Sequence, residues 1–507
     1  MAADPQMTLD ERLLGPVTNV ADFIWGGTWD GAEVLPFPPL AIVLLGAGLW
    51  FMIGLRFYPI TNLGSAVKNL FAGRKKGGAG EISPFAALST ALSGQVGTGN
   101  LAGVATAIAL GGPGAIFWMW VTALFGMALA FAEGALAIRY RETTSEGTYR
   151  GGPMSYIMMG LGPKWTWLAV FFCIGTLISG LVTGNAIQAN AVADGLNELF
   201  GIQEWLGGLI VAILVFIVII GGIKSIGRVA ESIVPVMALA YIVMAIIAIA
   251  LNIQDIPETF GRIFGGAFNV QSASGGFVGA AVILAIRAGV ARGLFSNEAG
   301  QGSTPIAHAV AQTDDPEFQG RMAMLGTFID TIVICTMTAL VILTVEGNFT
   351  HAGQPVLHAW QADLDGFAVT SGAFAAAFPF EIGSIPLGTM VASLALLLFV
   401  FTTLLTWSYY GERAITFLYD RIPGSTLGGE KILHRIWRVL WCVGIFIGAT
   451  RESDLIWRMG DIANAVMVLP NLLGLLLLSG VVFALARGNR TAGRDFHADT
   501  PEEPEEY

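Results

Sequence analysis

Long apolar stretches, separated by short charged, proline-containing or glycine-containing segments, repeat along almost the whole chain. A membrane-crossing helix needs about 20 mostly apolar residues, and eleven stretches have roughly that length. They lie near residues 39–57, 84–110, 114–139, 166–196, 206–222, 229–251, 275–311, 321–345, 386–411, 432–449 and 455–486. The last is long for one crossing and contains Pro470, so we expect a short lead-in helix and a bend there. The pattern predicts an all-α membrane protein with eleven transmembrane helices.

The segments outside these spans have a different character. Residues 1–38 carry scattered acids rather than a basic start and an apolar stretch, so they predict an extracytoplasmic N-terminal segment and not a cleavable signal peptide. Residues 346–383 are moderately apolar but broken by prolines and aspartates, which suits helices lying across the outer mouth. Residues 488–507 predict a disordered, acidic cytoplasmic tail. The transmembrane domain is therefore expected to cover residues 39–487.

Lysines and arginines indicate how the spans are oriented, because positively charged flanks stay on the cytoplasmic side. With the N-terminus outside, 20 of the 26 lysines and arginines flank the spans on the cytoplasmic side and four lie on the outer side. The other two, Arg287 and Arg292, fall within the seventh span. This asymmetry predicts an outside N-terminus, a cytoplasmic C-terminus and an odd number of crossings. We expect a multi-pass protein of the plasma (inner) membrane.

Composition narrows the functional class. The chain is 54% hydrophobic and only 12% charged, with 65 glycines among 507 residues, whereas soluble domains are about 25% charged. The net charge of −11 provides no basic surface for a nucleic acid. Paired histidines, a metal cluster or a nucleophile motif would point to a membrane enzyme, and the sequence provides none. We expect the lipid bilayer as partner, no nucleic acid, no enzymatic activity and no organic cofactor, and a protein partner is not required.

Two spans are interrupted by glycine and polar residues near their middle. The second span contains Ser93–Asn100 and the seventh contains Gly293–Gly302. We expect both helices to unwind there. Because an unpaired backbone group in hydrocarbon costs several kcal/mol, such an unwound segment is expected only where it has a function. If the first span is set aside, they open two five-span sets that cross in opposite directions. Interrupted helices at matching positions of inverted repeats point to a transporter's binding site near the bilayer midplane.

The backbone dipoles at such breaks suit an amino acid. Where a helix restarts, its free N–H groups attract an anion, here at Gly97–Asn100, and the freed carbonyls attract an ammonium group or a sodium ion, here near Phe295–Glu298. On the fourth span Gly184 leaves room for a small side chain, although interhelical hydrogen bonding also explains the polar residues around it. Close packing of small residues is the alternative for the breaks, but it leaves their polar side chains unexplained. The candidate substrate-binding residues are Gln95, Gly97, Thr98, Gly99, Asn100, Gly184, Phe295, Ser296 and Asn297.

Four motifs give the chain a family resemblance. The segments Gln95–Asn100, Gly111–Val121, Phe295–Gly300 and Pro305–Ala309 are similar to those of the sodium:alanine (glycine) symporter family. The resemblance extends over about residues 39–487. It implies the leucine-transporter fold, with two inverted five-helix repeats at about residues 83–252 and 275–487 and one extra N-terminal helix.

The same resemblance implies a substrate and a coupling ion. The substrate would be alanine or glycine, moved inward with sodium. A sodium ion would be held by the carbonyls of Ser93 and Val96 and the hydroxyls of Thr402 and Thr403, which are the oxygen ligands that a hard cation prefers. Adjacent threonines in an apolar helix also commonly bond back to their own backbone, and that alternative stays open.

Other intramembrane polar residues have structural or gating interpretations. An ionisable side chain inside a span is costly and therefore needs a partner or a function. We expect Glu298 to pair with Arg287 or Arg292 on its own span and so hold the second break. Glu133 and Asp330 have no evident partner in the sequence, and we favour a structural role over proton transfer. Phe295 and Trp407 are placed to close over a substrate.

The leading functional hypothesis is a secondary active transporter that couples inward sodium movement to amino-acid uptake by alternating access. A same-fold carrier for another small solute, or a proton-coupled carrier, is the alternative. A channel is less consistent with two broken helices around one site. The sequence leaves open the preference among glycine, L-alanine and D-alanine, the number of sodium ions and the oligomeric state.

Overall fold

The computed structural model describes residues 9–495 except positions 36, 75–76, 145–146, 269–276, 365, 384, 424, 452 and 494. Of the tail predicted as disordered at residues 488–507, the part from residue 496 onward lies outside the described residues, whereas Ala492 is buried and its carbonyl accepts a hydrogen bond from Arg139 at 2.9 Å, so the first part of this segment packs on the helices. Helices dominate the described part of the chain. The helices of its first half are α1 (Leu9–Gly26), α2 (Pro39–Gly54), α3 (Tyr58–Thr61), α4 (Leu63–Ala72), α5 (Pro84–Gln95), α6 (Val104–Gly111), α7 (Gly114–Arg139), α8 (Pro153–Leu161), α9 (Thr166–Leu181), α10 (Ile187–Phe200), α11 (Glu204–Ile219) and α12 (Gly222–Leu251).

The second half of the chain is also helical. Its helices are α13 (Ile256–Phe268), α14 (Phe277–Asn297), α15 (Thr304–His308), α16 (Pro316–Thr327), α17 (Thr336–Thr344), α18 (Gly366–Ala377), α19 (Leu387–Tyr419), α20 (Leu427–Gly448), α21 (Ser453–Leu477) and α22 (Ser479–Leu485). The described residues contain three π-helical segments: π1 (Gly99–Gly103), which leads into α6, π2 (Val182–Ala186), which joins α9 to α10, and π3 (Phe328–Cys335), which joins α16 to α17. Single 3₁₀ turns lie at Pro163–Trp165, Ile253–Asp255 and Ala359–Gln361.

Strands form only short antiparallel hairpins in the described residues. They are β1 (Thr28–Trp29) with β2 (Ala32–Glu33), β3 (Glu142–Thr143) with β4 (Tyr149–Arg150), β5 (Phe349–His351) with β6 (Gln354–Val356), and β7 (Glu381–Ile382) with β8 (Ile385–Pro386). In the β3–β4 hairpin, for example, Glu142 lies opposite Arg150 and Thr143 opposite Tyr149. Each hairpin connects helices rather than building a sheet.

Six helices of the described chain are long and apolar enough to cross a membrane, namely Gly114–Arg139, Pro163–Phe200, Gly222–Leu251, Pro316–Thr344, Leu387–Tyr419 and Asp454–Leu477. Shorter apolar helices at Pro39–Gly54, Gly99–Gly111, Glu204–Ile219 and Gly366–Ala377 accompany them. The outward faces of α11, α12 and α20 expose large apolar side chains such as Ile217, Val236 and Leu440. Because so many leucines, isoleucines and valines face outward, the surface suits lipid rather than water.

The breaks are held by helices from both halves of the chain. Helix α7 packs along α14 and α16, while α19 packs along α5, α9 and α10. The long helix α19 crosses the middle of the molecule, with Phe399, Trp407 and Tyr410 all buried. Side chains from α5, α14 and α19 therefore meet in the core.

Two regions differ from the sequence-based expectation. The last span has no separate lead-in helix, because α21 runs without interruption from Ser453 through Pro470 to Leu477. The short helix α22 begins two residues later, at Ser479. The 346–383 segment contains the β5–β6 hairpin and one helix of 12 residues, α18, which packs on α19 and π1. The N-terminal segment forms α1, whose buried Trp25 indole donates to the carbonyl of Asp461.

Candidate binding site at two helix breaks

The first break separates α5 from π1 in the middle of the predicted second span. Helix α5 ends at Gln95, Val96 is extended with φ −78° and ψ 94°, and helical turns resume at Gly99. The Gly97 N–H donates to Asn100 Oδ1 at 2.8 Å and the Thr98 N–H donates to Gln188 Oε1 at 3.2 Å. Two of the predicted backbone donors thus face side-chain amide oxygens, which have the same acceptor chemistry as a carboxylate oxygen.

Glycine at the first break allows close approach of neighbouring elements. A Cβ atom added to Gly97 would lie 2.7 Å from Thr403 Oγ1 and 3.0 Å from Gln188 Oε1. One added to Gly99 would lie 3.0 Å from Phe295 Cδ1 and 3.1 Å from Ser296 Cα. Since ordinary contacts between heavy atoms begin at about 3.5 Å, a larger residue at either position would push α14 or α19 away from the break.

The second break lies between α14 and α15. Helix α14 ends at Asn297, and Glu298 adopts a left-handed conformation with φ +56°, which is uncommon for a residue with a side chain. Gly300 and Gly302 follow with φ +85° and +87°, values that glycine adopts without steric cost. The chain becomes helical again at Thr304. A strained residue and two glycines therefore produce the unwinding predicted for this span.

The two breaks touch each other. The Gln95 side-chain amide donates to the Asn297 carbonyl at 2.5 Å, and Gly99 lies against Ser296. Gln95, Thr98, Ser296 and Asn297 are all at least 95% buried. Among the described residues, neither Gln95 Oε1 nor Thr98 Oγ1 has a hydrogen-bond partner. Buried polar atoms without partners are rare and costly, so they mark a place where a polar ligand would be accommodated.

Asp330 connects the two breaks from the segment π3. Its Oδ1 accepts a hydrogen bond from Asn100 Nδ2 at 2.6 Å, and its Oδ2 accepts one from Ser296 Oγ at 2.7 Å. The Thr331 hydroxyl also donates to Oδ2, and Asn297 Nδ2 donates to that hydroxyl at 3.1 Å. Asp330 therefore has the structural partners that the sequence could not identify.

The expected pairing of Glu298 with an arginine is wrong. Arg287 pairs with Asp22 of α1, and Arg292 pairs with Asp461 at 3.1 Å. Glu298 instead accepts a hydrogen bond from Ser303 Oγ at 2.5 Å and one from the Trp407 indole nitrogen at 2.8 Å. The two arginine pairs join α14 to α1 and to α21, while Glu298 binds α19.

Trp407 occupies the space beside Gly184. A Cβ atom added to Gly184, which lies in π2, would be 2.4 Å from Trp407 Cγ. The missing side chain at position 184 therefore makes room for an indole ring. Trp407 connects π2 to the carboxylate of Glu298, so it contacts the second break through a hydrogen bond and the fourth span through its ring.

The predicted sodium ligands are only partly together. The Thr403 hydroxyl lies 3.2 Å from the Val96 carbonyl oxygen and also bonds back to the Phe399 carbonyl of its own helix at 3.0 Å. For Ser93 the predicted ligand is the carbonyl, but the contact with α19 is made by its hydroxyl, which hydrogen-bonds that of Thr406, one turn after Thr403. Thr402 turns the other way: its hydroxyl bonds the Phe399 carbonyl at 2.9 Å and lies 3.9 Å from Met237 Sδ on α12. Because adjacent helical residues point in different directions, Thr403 and Thr406 face the first break and Thr402 does not.

Phe295 closes one side of the second break. Its ring lies 4.9 Å from the ring of Trp457 on α21 and packs on Ile187 and Ile456. Arg292 lies over Trp457 with its guanidinium carbon 5.0 Å from the ring centroid. A layer of aromatic and cationic side chains thus covers the break on the α1 side of the molecule.

Glu133 supports the second break from α7. The amide nitrogen of Asn471 donates to Glu133 Oε1 at 2.7 Å and to the Gly300 carbonyl at 2.9 Å. The Tyr156 hydroxyl bonds the same asparagine. These contacts supply the partner that the sequence did not show for Glu133, and its structural role stays a prediction.

Several residues of this site were not selected from the sequence. Thr331, Cys335, Thr406 and Trp457 lie in apolar spans and no motif singles them out. Cys335 Sγ lies 3.1 Å from Ser296 Oγ and 3.3 Å from Asn100 Nδ2. Asp330, by contrast, stands out in the sequence, because a carboxylate inside a span is costly and therefore needs a partner or a function.

Known transporters are similar to this chain over most of its length. A family model described as the sodium:alanine symporter family matches residues 28–498. The sodium/alanine symporter AgcS of Methanococcus maripaludis is 42% identical over 92% of this chain and 95% of its own. The putative sodium/proton-dependent alanine carrier protein YrbD of Bacillus subtilis is 38% identical over 88% of each chain.

One solved structure gives a likeness in fold. The manganese transporter of Eremococcus coleocola, solved with an aromatic bis-isothiourea substituted compound, has a TM-score of 0.50 and 12% identity, over 80% of this chain and 81% of that one. At that identity the likeness concerns the fold alone.

Proposed function

The chain belongs to the sodium:alanine symporter family, and from that premise we propose that it carries alanine or glycine inward with sodium by alternating access. Membership makes it a sodium-coupled amino-acid transporter of the membrane and not an enzyme. The observation that supports the specific proposal is the direct contact of two broken helices around buried polar atoms without partners. Such breaks supply both signs of partial charge in one place.

In this proposal the substrate carboxylate binds at the first break. It replaces the amide oxygens of Asn100 and Gln188 on the backbone N–H groups of Gly97 and Thr98, and Thr98 Oγ1 provides a further donor. The ammonium group binds toward the second break, where Gln95 Oε1 and the carboxylate of Asp330 are acceptors. A zwitterion satisfies both ends at once.

The close packing around the two breaks supports a substrate with a small side chain. The contacts of Gly97 and Gly99 leave no room for a β-carbon, and Trp407 fills the space at Gly184. Widening this packed site for a long side chain would cost about 1–3 kcal/mol per overpacked position. Glycine or alanine fits this environment, and the difference of one methyl group is worth only about 1 kcal/mol.

Sodium is assigned to the space between α5 and α19. The Val96 carbonyl and the Thr403 hydroxyl converge there, and one turn below the hydroxyl of Ser93, in place of its carbonyl, meets the hydroxyl of Thr406. Hydroxyl and carbonyl oxygens are suitable ligands for a hard cation. We extend the sequence-based ligand set to Thr406 and assign no ligand role to Thr402.

The wider arrangement is part of the proposal. We propose the leucine-transporter arrangement of two inverted repeats, at about residues 83–252 and 275–487, with an outside N-terminus in the plasma (inner) membrane. Inward movement of one charge across about 100 mV provides about 2.3 kcal/mol. This is roughly a fiftyfold accumulation of the coupled substrate, which is enough for uptake from dilute medium.

Proton coupling is a second candidate that one observation favours. Asp330 is a fully buried carboxylate in contact with both breaks, and a carboxylate in that position is a site for a transported proton. The relative YrbD is named as sodium/proton-dependent. Coupling to sodium and coupling to protons are therefore measured separately in the same experiment.

The experiment is uptake of radiolabelled L-alanine into proteoliposomes containing the purified full chain. We expect uptake with an inward sodium gradient, none when choline replaces sodium, and competition by unlabelled glycine. Uptake driven equally by a proton gradient in choline would contradict sodium coupling. Sodium-driven uptake of another solute, with no effect of alanine or glycine, would contradict the substrate assignment.

A further inference from the structure

A small pocket lies where the helices α2 and α22 end beside each other. It has a volume of about 210 Å³, and two of the residues that line it are arginines, Arg56 after α2 and Arg487 after α22. We call it the basic pocket. Its volume corresponds to about seven water molecules of about 30 Å³ each, which is more room than a phosphate group needs.

The two arginines of the basic pocket have unused hydrogen-bonding capacity. Both are exposed, and among the residues that the structure describes neither guanidinium group forms a hydrogen bond or an ion pair. Arg139 and Arg490, by contrast, bind the Ala492 carbonyl and Asp315. A guanidinium group is a planar fork of N–H donors that matches a phosphate. The basic pocket therefore offers two such forks to an anion.

Packing and backbone geometry, rather than an ion pair, hold Arg56 at the pocket. The ring of Phe483 on α22 lies against Gly54, where a β-carbon would overlap it, and 5.8 Å from the ring of Phe51. Arg56 and Phe57 have φ +54° and +59°, and these left-handed residues turn the chain from α2 into α3. Such conformations persist only where the surrounding structure enforces them. The position of this arginine is therefore fixed before any anion binds.

Apolar side chains are exposed on the turns that flank the basic pocket. Trp50 and Ile53 of α2 are 55% and 57% exposed, and Phe57 and Ile60 beyond it are 51% and 49% exposed. A surface of this kind suits acyl chains, while arginines at the end of a span lie at the level of the lipid headgroups. A lipid would use both features, whereas a soluble phosphate would use only the arginines.

We propose that the basic pocket binds the phosphate of an anionic glycerophospholipid through Arg56 and Arg487, with the acyl chains along the exposed face of α2. No acidic residue is among the described residues that line the pocket, so the ammonium group of a zwitterionic headgroup would find no opposite charge there. In the orientation proposed above, this lipid belongs to the cytoplasmic leaflet. It would join α2, which lies outside the two proposed repeats, to the end of the second repeat.

The experiment is native mass spectrometry of the purified full chain in a neutral detergent, titrated with phosphatidylglycerol. We expect one phosphatidylglycerol to bind more tightly than the rest. Replacing both arginines, by Arg56→Gln with Arg487→Gln, should weaken that first binding step about thirtyfold, since each basic residue near the headgroups contributes about fivefold. Phosphatidylcholine should not compete for it.

Two other exposed arginines provide the matched control. Arg228 and Arg435 do not line the basic pocket, so Arg228→Gln with Arg435→Gln removes the same charge and should leave the first binding step unchanged. Equal losses in the two double variants would reduce the effect to overall charge and overturn the site. Wild-type affinity in Arg56→Gln with Arg487→Gln would do the same.

A variant that keeps every charge covers the case in which the arginine variant does not fold. Ala486 lines the basic pocket and is only partly exposed, so Ala486→Trp should fill the pocket and weaken the first binding step as well. Unchanged binding by Ala486→Trp would count against the pocket. Displacement of the bound lipid by soluble glycerol 3-phosphate, or equal binding of phosphatidylcholine, would overturn the assignment to an anionic lipid.

Discussion

Two glycines on α9 and π2 lie at different distances from Trp407. A Cβ atom at Gly184 would be 2.4 Å from the ring, whereas one at Gly180 would be 3.9 Å from it and 3.6 Å from Trp441. Gly184→Ala must therefore displace Trp407 from Glu298, and Gly180→Ala need not. We expect Gly184→Ala to lower sodium-driven alanine uptake about tenfold, because overpacking costs about 1–3 kcal/mol. Equal uptake by the two variants at equal protein levels would refute this role of Gly184.

The hydrogen bond of Trp407 is testable against a similar tryptophan. Both Trp407 and Trp441 are buried indoles on neighbouring helices, the first donating to Glu298 at 2.8 Å and the second to the Leu404 carbonyl at 3.1 Å. Replacing either by phenylalanine leaves a buried acceptor short of a donor, at a cost of about 1–3 kcal/mol. We expect similar losses of thermal stability from Trp407→Phe and Trp441→Phe. Uptake should fall severalfold more in Trp407→Phe, and an equal fall in both would assign Trp407 a packing role only.

For single residues, the sequence indicates which side chains belong to the site better than it indicates their hydrogen-bond partners. The glycines and polar residues of both breaks were predicted because they are out of place in a membrane span. Glu298 was assigned to an arginine of its own helix, but its partner lies 109 positions away on α19. Pairing between distant helices depends on how the helices pack, which no local spacing reveals.

Among the elements, the π-helical segments carry much of the site. Asn100 belongs to π1, Gly184 to π2, and Asp330 and Cys335 to π3. A π turn inserts one residue into a helix and changes the direction of the side chains around it, and such turns are frequent at functional sites. Hydropathy located the spans of these segments but not the turns, because one inserted residue hardly changes an average over about 20 residues.

The link between π3 and the breaks gives a further prediction. Asp330→Asn replaces an acceptor oxygen by an amide nitrogen that faces either Asn100 Nδ2 or the Ser296 hydroxyl. A donor opposite Asn100 would leave one buried group unpaired, so we expect a lower thermal midpoint and about tenfold weaker uptake. The measurement is thermal unfolding of the purified variant together with uptake at matched amounts. Wild-type values for both would mean that Asp330 does not hold the breaks together.

For the whole molecule, the β3–β4 hairpin is joined to the end of α19 outside the spans. Arg150 pairs with Glu142 at 2.9 Å and with Asp420 at 2.6 Å. Burial alone would raise the pKa of Glu142, but the guanidinium of Arg150 and the hydroxyl of Ser155 together hold that pKa below its ordinary value. Because the pKa of the folded state is the lower one, the pair stabilises the protein fully above the ordinary pKa of glutamate. That stabilisation is lost as the pH falls through the lower value.

This pair therefore contributes to the loss of stability in acid. We expect the thermal midpoint of the wild type to fall below about pH 4, and Glu142→Gln to be less stable at neutral pH with a smaller further loss in acid. Glu258 pairs with Arg262 at the surface and is a matched control, because exposed pairs contribute little. Parallel pH curves for the wild type and Glu142→Gln would contradict the assignment.

Family, helical class and the two breaks followed from the sequence because hydropathy, charge asymmetry and the break motifs all extend over many residues. The helix α1, the continuous helix α21 and the basic pocket did not follow. They depend on contacts between segments far apart in the chain, such as Trp25 with Asp461 and Asp22 with Arg287.

The central claim is that sodium binds between the first break and α19, and adjacent threonines test it most directly. Both hydroxyls donate to the Phe399 carbonyl of their own helix, but only that of Thr403 also reaches the Val96 carbonyl among the described residues, whereas that of Thr402 lies 3.9 Å from Met237 Sδ. The measurement is the sodium concentration that gives half-maximal L-alanine uptake in proteoliposomes. We predict an increase of about tenfold or more for Thr403→Ala, since a lost oxygen ligand weakens a hard-cation site, and no change for Thr402→Ala. An increase for Thr402→Ala alone, or none for either variant, would contradict the assignment.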